Sequence, residues 1–320
     1  MTSPFAAPAA ALAWLGRQGT RAIAASVFLG LALPQLAALM KPLLPSSIFV
    51  LLVLAFLRVN PSALRDYLTR PALVIAAAVW IMVIAPALYG FFLIGIGVKD
   101  AMPALFLALM FQASAAPIMS APAFAALLGL DAALSLAAMI ACIVLTPLLP
   151  PLYLYLFADA ALAIHPGWLA LKLFLLLAGS AGLAAIIRRV MTTEWVAAQG
   201  QRIDGINVIT LTVFAIAIMD GVTAAAIKQP LLVLGFLALA FAFAFSSMLS
   251  TLLVFRFAGK EKSWALGWSA ANRNMGIMIA AMGTSLPDTT WLYMGLAQFP
   301  IYLFPLMIQP LIRRVMARPD

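Results

Sequence analysis

The chain has 320 residues, 66% of them hydrophobic and 9% charged, with a mean hydropathy of +1.11. That composition excludes a soluble globular domain and calls for an all-α multispanning membrane protein; unbroken apolar runs, without short alternating segments, exclude a transmembrane β-barrel. The net charge of +9 comes from a loop asymmetry and not from a nucleic-acid surface, and one cysteine and one histidine exclude a disulfide framework or a Cys/His metal site.

Residues 1–21 are rich in Ala and Pro and read as a cytoplasmic tail. Ala9-Ala10-Ala11 resembles a cleavage site, but no basic stretch precedes it. Ten apolar spans follow: 22–40, 43–57, 72–94, 102–128, 132–157, 168–187, 203–226, 231–255, 264–282 and 289–312. The second is short for a span. The fourth carries Pro103, Pro117 and Pro122, which cannot all lie in one unbroken helix. Residues 315–320 form a second short tail.

Charge sets the orientation. Fourteen of the nineteen basic residues fall on the side of the N-terminus, four (Lys41, Lys99, Lys172, Lys228) on the other, and Arg273 on neither. The positive-inside rule then makes both termini cytoplasmic in a multi-pass protein of a bacterial inner (plasma) membrane. Five spans per half is an odd number, so residues 22–158 and 159–314 would insert with opposite topology as an inverted repeat.

Two polar stretches interrupt apolar segments at corresponding places. One is Gln112-Ala113-Ser114-Ala115-Ala116-Pro117; the other is Ser269-Ala270-Ala271-Asn272-Arg273-Asn274-Met275-Gly276. Arg273 lies roughly 16 Å from Lys262 and roughly 15 Å from Gly283 along a helix, near the middle of a bilayer about 30 Å thick. A cation there costs about 2.5–3.5 kcal/mol on insertion scales, which calls for a partner or a polar cavity. Paired interruptions in the two halves point to a transporter site at broken helices.

Ten spans, a five-plus-five inverted repeat and polar breaks in the fourth segment of each half resemble the bile acid:sodium symporter family. The residues that carry the resemblance are Gln112–Pro151, with Leu128-Gly129-Leu130-Asp131 and Thr146-Pro147-Leu148, and Asn272-Arg273-Asn274-Met275-Gly276. The resemblance implies a panel of segments 1, 2, 6 and 7, a core of segments 3–5 and 8–10, and segments 4 and 9 crossing at their breaks beside the substrate. It also implies sodium-coupled uptake of an organic anion. Relatives hold sodium with a glutamate four residues before a glutamine in segment 9; here those positions are Ser269 and Arg273. The family's asparagine after a serine in segment 4 is missing too, since Ala121 and Pro122 follow Ser120. The sodium site is therefore not carried over intact. Ser135 keeps a hydroxyl, and Asn274 matches the family's asparagine. No other cofactor is expected.

Candidate substrate-binding residues are thus Arg273, Asn274, Asn272, Ser114, Gln112 and Ser120, with Ser269, Ser135 and Asp220 as candidates for ion coupling. Arg273 suits a carboxylate, or serves as a fixed cation for the unpaired carbonyls of half-helix C-termini. The structural alternative is an ion pair with Asp220 or Asp131. The polar side chains around it could equally satisfy backbone groups freed by the breaks, and the serines could bond back to their own helices. Asp131 and Asp288 read as helix caps. The leading function is secondary transport of small organic anions. A sodium-independent or proton-coupled carrier is one alternative, and a non-transporting ligand receptor another. An enzyme is disfavoured, because no nucleophile–base pair lies in the spans. Substrate and oligomeric state are not written in the sequence.

Overall fold

The computed structural model describes residues 25–59, 65, 67, 69, 71–157, 165–191, 195, 198–283 and 286–317, with only the backbone of 305 and 306. The expected N-terminal tail, residues 318–320, Glu194 and most of the expected first cytoplasmic loop lie outside the described residues, while 315 and 316 of the expected C-terminal tail continue the last helix. The described residues are mostly helical and form no strand ladder, as an all-α chain requires.

After helical residues 25–32, the helices in chain order are α1 (Pro34–Arg58), α2 (Ala72–Gly95), α3 (Pro103–Ser114), α4 (Ala121–Leu127), α5 (Ala132–Leu145), α6 (Leu149–Phe157) and α7 (Pro166–Val190). Then come α8 (Gly200–Lys228), α9 (Pro230–Val254), α10 (Lys260–Ala271), α11 (Met275–Met282), α12 (Asp288–Leu296) and α13 (Gln298–Met316). Five of these, α1, α2, α7, α8 and α9, are long and apolar enough to cross a membrane. Two bent pairs raise the number to seven: α5 with α6, at 56°, and Asp288–Phe304 with Met307–Met316, at 41°.

One expected turn is corrected. The sequence placed a loop at 41–42, between a first span ending at Met40 and a short second one. Instead residues 41–43 form a single tight turn inside α1, whose flanking residues keep helical dihedrals. The break falls at Leu33 (φ −124°, ψ 73°), because a residue before proline is pushed out of the helical region. The second segment is therefore not short: α1 has 25 residues.

Prolines mark helix starts elsewhere. Pro103 and Pro122 lie in the first turns of α3 and α4, where a missing N–H leaves nothing unpaired. α4 ends in a Schellman motif, with Gly129 at φ +71° and Leu130 N–H reaching back to Ala125 O at 2.8 Å. Asp131 then caps α5 by accepting from Leu134 N–H at 2.8 Å and also accepts from the Tyr67 hydroxyl. Asp288 is not a cap. Pro287 holds that position, and Asp288 is the first residue of α12, where its charge still suits the helix dipole.

The chain gathers into two compact units: Met1–Val59 with Leu176–Pro230, and Asn60–Leu175 with Leu231–Asp320. In the first, α1 and α8 run antiparallel, tied by ion pairs Arg58–Asp204 and Lys41–Asp220. Arg188 donates to the C-terminal carbonyls of α1, Leu57 O at 2.6 Å and Val59 O. Residues 25–32 lie so close to α8 that a Cβ on Gly30 would meet Ile216 Cα at 2.9 Å. In the second, Val74 and Ala77 of α2 pack on Leu134, Ala137 and Ala138 of α5, and Trp268 of α10 stacks on Phe304. Trp80 Nε1 donates to Thr251 Oγ1 at 2.9 Å and Thr290 Oγ1 to Ala104 O at 2.7 Å, joining α2 to α9 and α12 to α3.

Candidate functional site

Two interruptions meet in the second unit. Helix is lost at 115–120, between α3 and α4, and at 272–274, between α10 and α11. The two extended pieces pair antiparallel as an isolated bridge of Pro117 and Arg273. Ile118 N–H donates to Asn272 O at 2.8 Å and Asn274 N–H to Ala116 O at 2.7 Å. Pro117 and Arg273 face each other as a non-hydrogen-bonded pair, so a proline without an N–H fits there.

The bridge uses Asn274 N–H, which in a continuous helix would serve Ala270 O. The Arg273 side chain replaces it: Nε donates to Ala270 O at 2.7 Å. Nη1 donates to Ala115 O at 3.0 Å, just past the end of α3, and to Ile81 O at 3.1 Å. Ile81 lies in a π turn of α2, Trp80–Ile84, where Ala85 N–H turns to Trp80 O. The next donor would come from Pro86, which has none. Ile81 O therefore has no helical partner, and the guanidinium supplies one. Three helix irregularities thus converge on one side chain that is 1% exposed.

The electrostatics close in the same way. The C-termini of α3 and α10 each carry about −0.5 of an elementary charge, and one guanidinium balances two of them. No carboxylate among the described residues pairs with Arg273: Asp131 caps α5, and Asp220 pairs with Lys41 in the first unit. Nη2 makes no hydrogen bond among the described residues and remains a charged donor beside the crossover.

The other expected residues fall into three groups. Asn274 is part-exposed at the start of α11, with its amide making no bond among the described residues. Asn272, Ser114, Ser269 and Ser135 are buried and spoken for. Asn272 Nδ2 donates to Trp268 O at 3.0 Å, Ser114 Oγ to Met110 O at 2.7 Å and Ser269 Oγ to Ala265 O at 2.9 Å, while Ser135 and Ser269 share a hydroxyl contact of 2.8 Å. Gln112 accepts from the Tyr293 hydroxyl at 2.5 Å in a buried pair. Ser120 is exposed, ahead of α4, with no side-chain bond among the described residues. Asp220 belongs to the first unit and not to the crossover. The sequence reading missed Ile81 and Tyr293. Pro86, a proline inside an apolar span, was the available signal for the first. Nothing in the local sequence marks the second.

No protein-family model matches the chain, and no curated protein matches it significantly.

Proposed function

We propose that the protein is a secondary transporter of small organic anions, resembling the bile acid:sodium symporters, that works by alternating access around the crossover and needs no sodium. The observation that carries the reading is Arg273, a guanidinium buried at a bridge of two broken helices, with no carboxylate partner and no bond to Nη2 among the described residues. A carboxylate ligand suits that donor. The part-exposed Asn274 amide and the uncapped N-terminus of α11 add donors next to it in the chain.

Ten spans fit the same reading. Counting α3 with α4 and α10 with α11 as one interrupted span each adds two to the seven, and helical residues 25–32, ahead of the break at Leu33, belong to the first of the ten expected segments. The first unit holds the first, second and seventh segments and most of the sixth, and the second unit holds the rest, the division that the resemblance implies. Both termini are then cytoplasmic in an inner membrane.

Sodium independence follows from charge. The guanidinium already serves the carbonyls at the two helix C-termini, and a second cation beside it is repelled by several kcal/mol at short range. Ser269, where relatives carry a glutamate, offers no offsetting charge. The test is uptake of labelled carboxylates into proteoliposomes, in sodium against choline buffer at matched potential. Saturable uptake at similar rates in both is expected, and lost in Arg273→Gln. A large saturable sodium stimulation would overturn the coupling; saturable binding without flux would make the protein a receptor.

A further inference from the structure

Four helix ends meet at the crossover, and their partial charges oppose one another. α3 and α10 end there with about −0.5 of an elementary charge each, and α11 begins there with about +0.5. α4, of seven residues, begins there with the same positive sign. Arg273 adds one full positive charge. The sum lies between about +0.5 and +1, so a single negative charge neutralises the site. A dianion would leave at least about one uncompensated negative charge at mid-membrane depth, where an ion is expensive.

That positive charge stays with the protein. Arg273 is tied to Ala270 O in α10, to Ala115 O at the end of α3 and to Ile81 O in α2, so it remains in place when a ligand leaves. Among the described residues, the groups beside it are not built to carry a second ion. The titratable side chains in electrostatic reach of Arg273 are Cys142 and Tyr89, a thiol and a phenol. The described acidic residues of this unit all lie at helix starts: Asp100 in the single turn Val98–Ala101, Asp131 capping α5, Glu261 in the first turn of α10 and Asp288 opening α12. Glu261 is about 18 Å from Arg273 along its segment. A monoanion at the crossover therefore crosses with only its own charge.

We propose that the protein carries monovalent carboxylates without a coupled ion, so that each cycle moves one net negative charge, and that a potential negative inside drives it as an efflux carrier. The proposal rests on the carrier reading and adds valence, charge movement and direction. One elementary charge across 100 mV is worth about 2.3 kcal/mol, about fiftyfold in the ratio of anion outside to anion inside. Symport gives other signs: one proton carried with each monoanion cancels the charge, and two sodium ions reverse it.

The purified full-length protein is reconstituted in liposomes with equal pH and equal sodium on both sides, and potassium gradients with valinomycin set the potential. Labelled hippurate and cholate, both monocarboxylates, are followed to their steady inside-to-outside ratios, counted over protein-free liposomes. An inside-negative potential of about 100 mV should lower the ratio of a carried probe about fiftyfold relative to zero potential, and the opposite potential should raise it equally. The sign is the same for either orientation of the protein in the liposome. Unlabelled monomethyl glutarate should compete with the probe, and glutarate, the same chain with a second charge, should not. A ratio that ignores the potential, or one that rises when the inside is negative, would overturn the proposal with the carrier reading intact. Equal competition by glutarate would overturn its valence. Flux of neither probe at any potential would sink the carrier reading, and this proposal with it.

Discussion

Arg273→Lys isolates what the guanidinium fork does. The substitution keeps the charge, and so keeps the burial cost of about 2.5–3.5 kcal/mol at mid-membrane depth. Arg273→Met would remove that cost together with the hydrogen bonds, and the two terms, of similar size, would mask each other. A lysine ammonium can stand near the position of Nη1, with Ala115 O and Ile81 O in reach. It cannot also donate from the Nε position to Ala270 O, a bond of 2.7 Å. Hydrogen bonds inside membrane proteins average about 0.6 kcal/mol and reach about 1.7, so Arg273→Lys should destabilise the protein by about 0.6–1.7 kcal/mol. The chain supplies its own reporter. Cys142 is the single cysteine and fully buried in α5, so labelling by a thiol-reactive fluorophore follows unfolding in detergent. Arg273→Lys should expose Cys142 at a lower temperature than the parent. A variant as stable as the parent would refute the reasoning, since a point charge would then serve the crossover as well as the fork.

Three further expectations follow from the same geometry. Gly30→Leu would put a side chain into the backbone of α8 at Ile216 and should cost about 1–3 kcal/mol by overpacking, read by Cys142 labelling; full stability would show that residues 25–32 do not hold that close approach. Gln112→Leu and Tyr293→Phe break one buried hydrogen bond, so each should destabilise by about 1–3 kcal/mol. The double variant should fall well short of their sum, and strict additivity would mean the two groups do not interact. In a Cys142→Ala background, cysteines introduced at Arg65 and Glu194 should react with impermeant maleimide only from the cytoplasmic side; labelling of either from outside would refute the ten-span inverted repeat.

The sequence by itself determined the class and the places where helices fail. Burying a polar group in hydrocarbon without a partner costs enough that Arg273, Asn272 and Asn274 stand out in an apolar run, and three prolines in one span require a break. Both interruptions lie where those residues placed them. The same physics identified Asp131 as a cap, because capping needs only its own helix. That the breaks would meet was implied by the resemblance alone, since bridge pairing joins residues more than 150 positions apart. Only the tertiary structure decided which carbonyls Arg273 serves. Ile81 O is freed by a π turn and by Pro86, and one residue of helical register separates an orphaned carbonyl from a satisfied one. It also moved the first turn from 41–42 to Leu33, because either proline, Pro34 or Pro42, could have ended a helix and packing chose between them. Asp220 stands out in its apolar segment as a candidate for ion coupling. Its partner, Lys41, comes from a distant segment, and no local pattern announces a contact that depends on the register of two antiparallel helices.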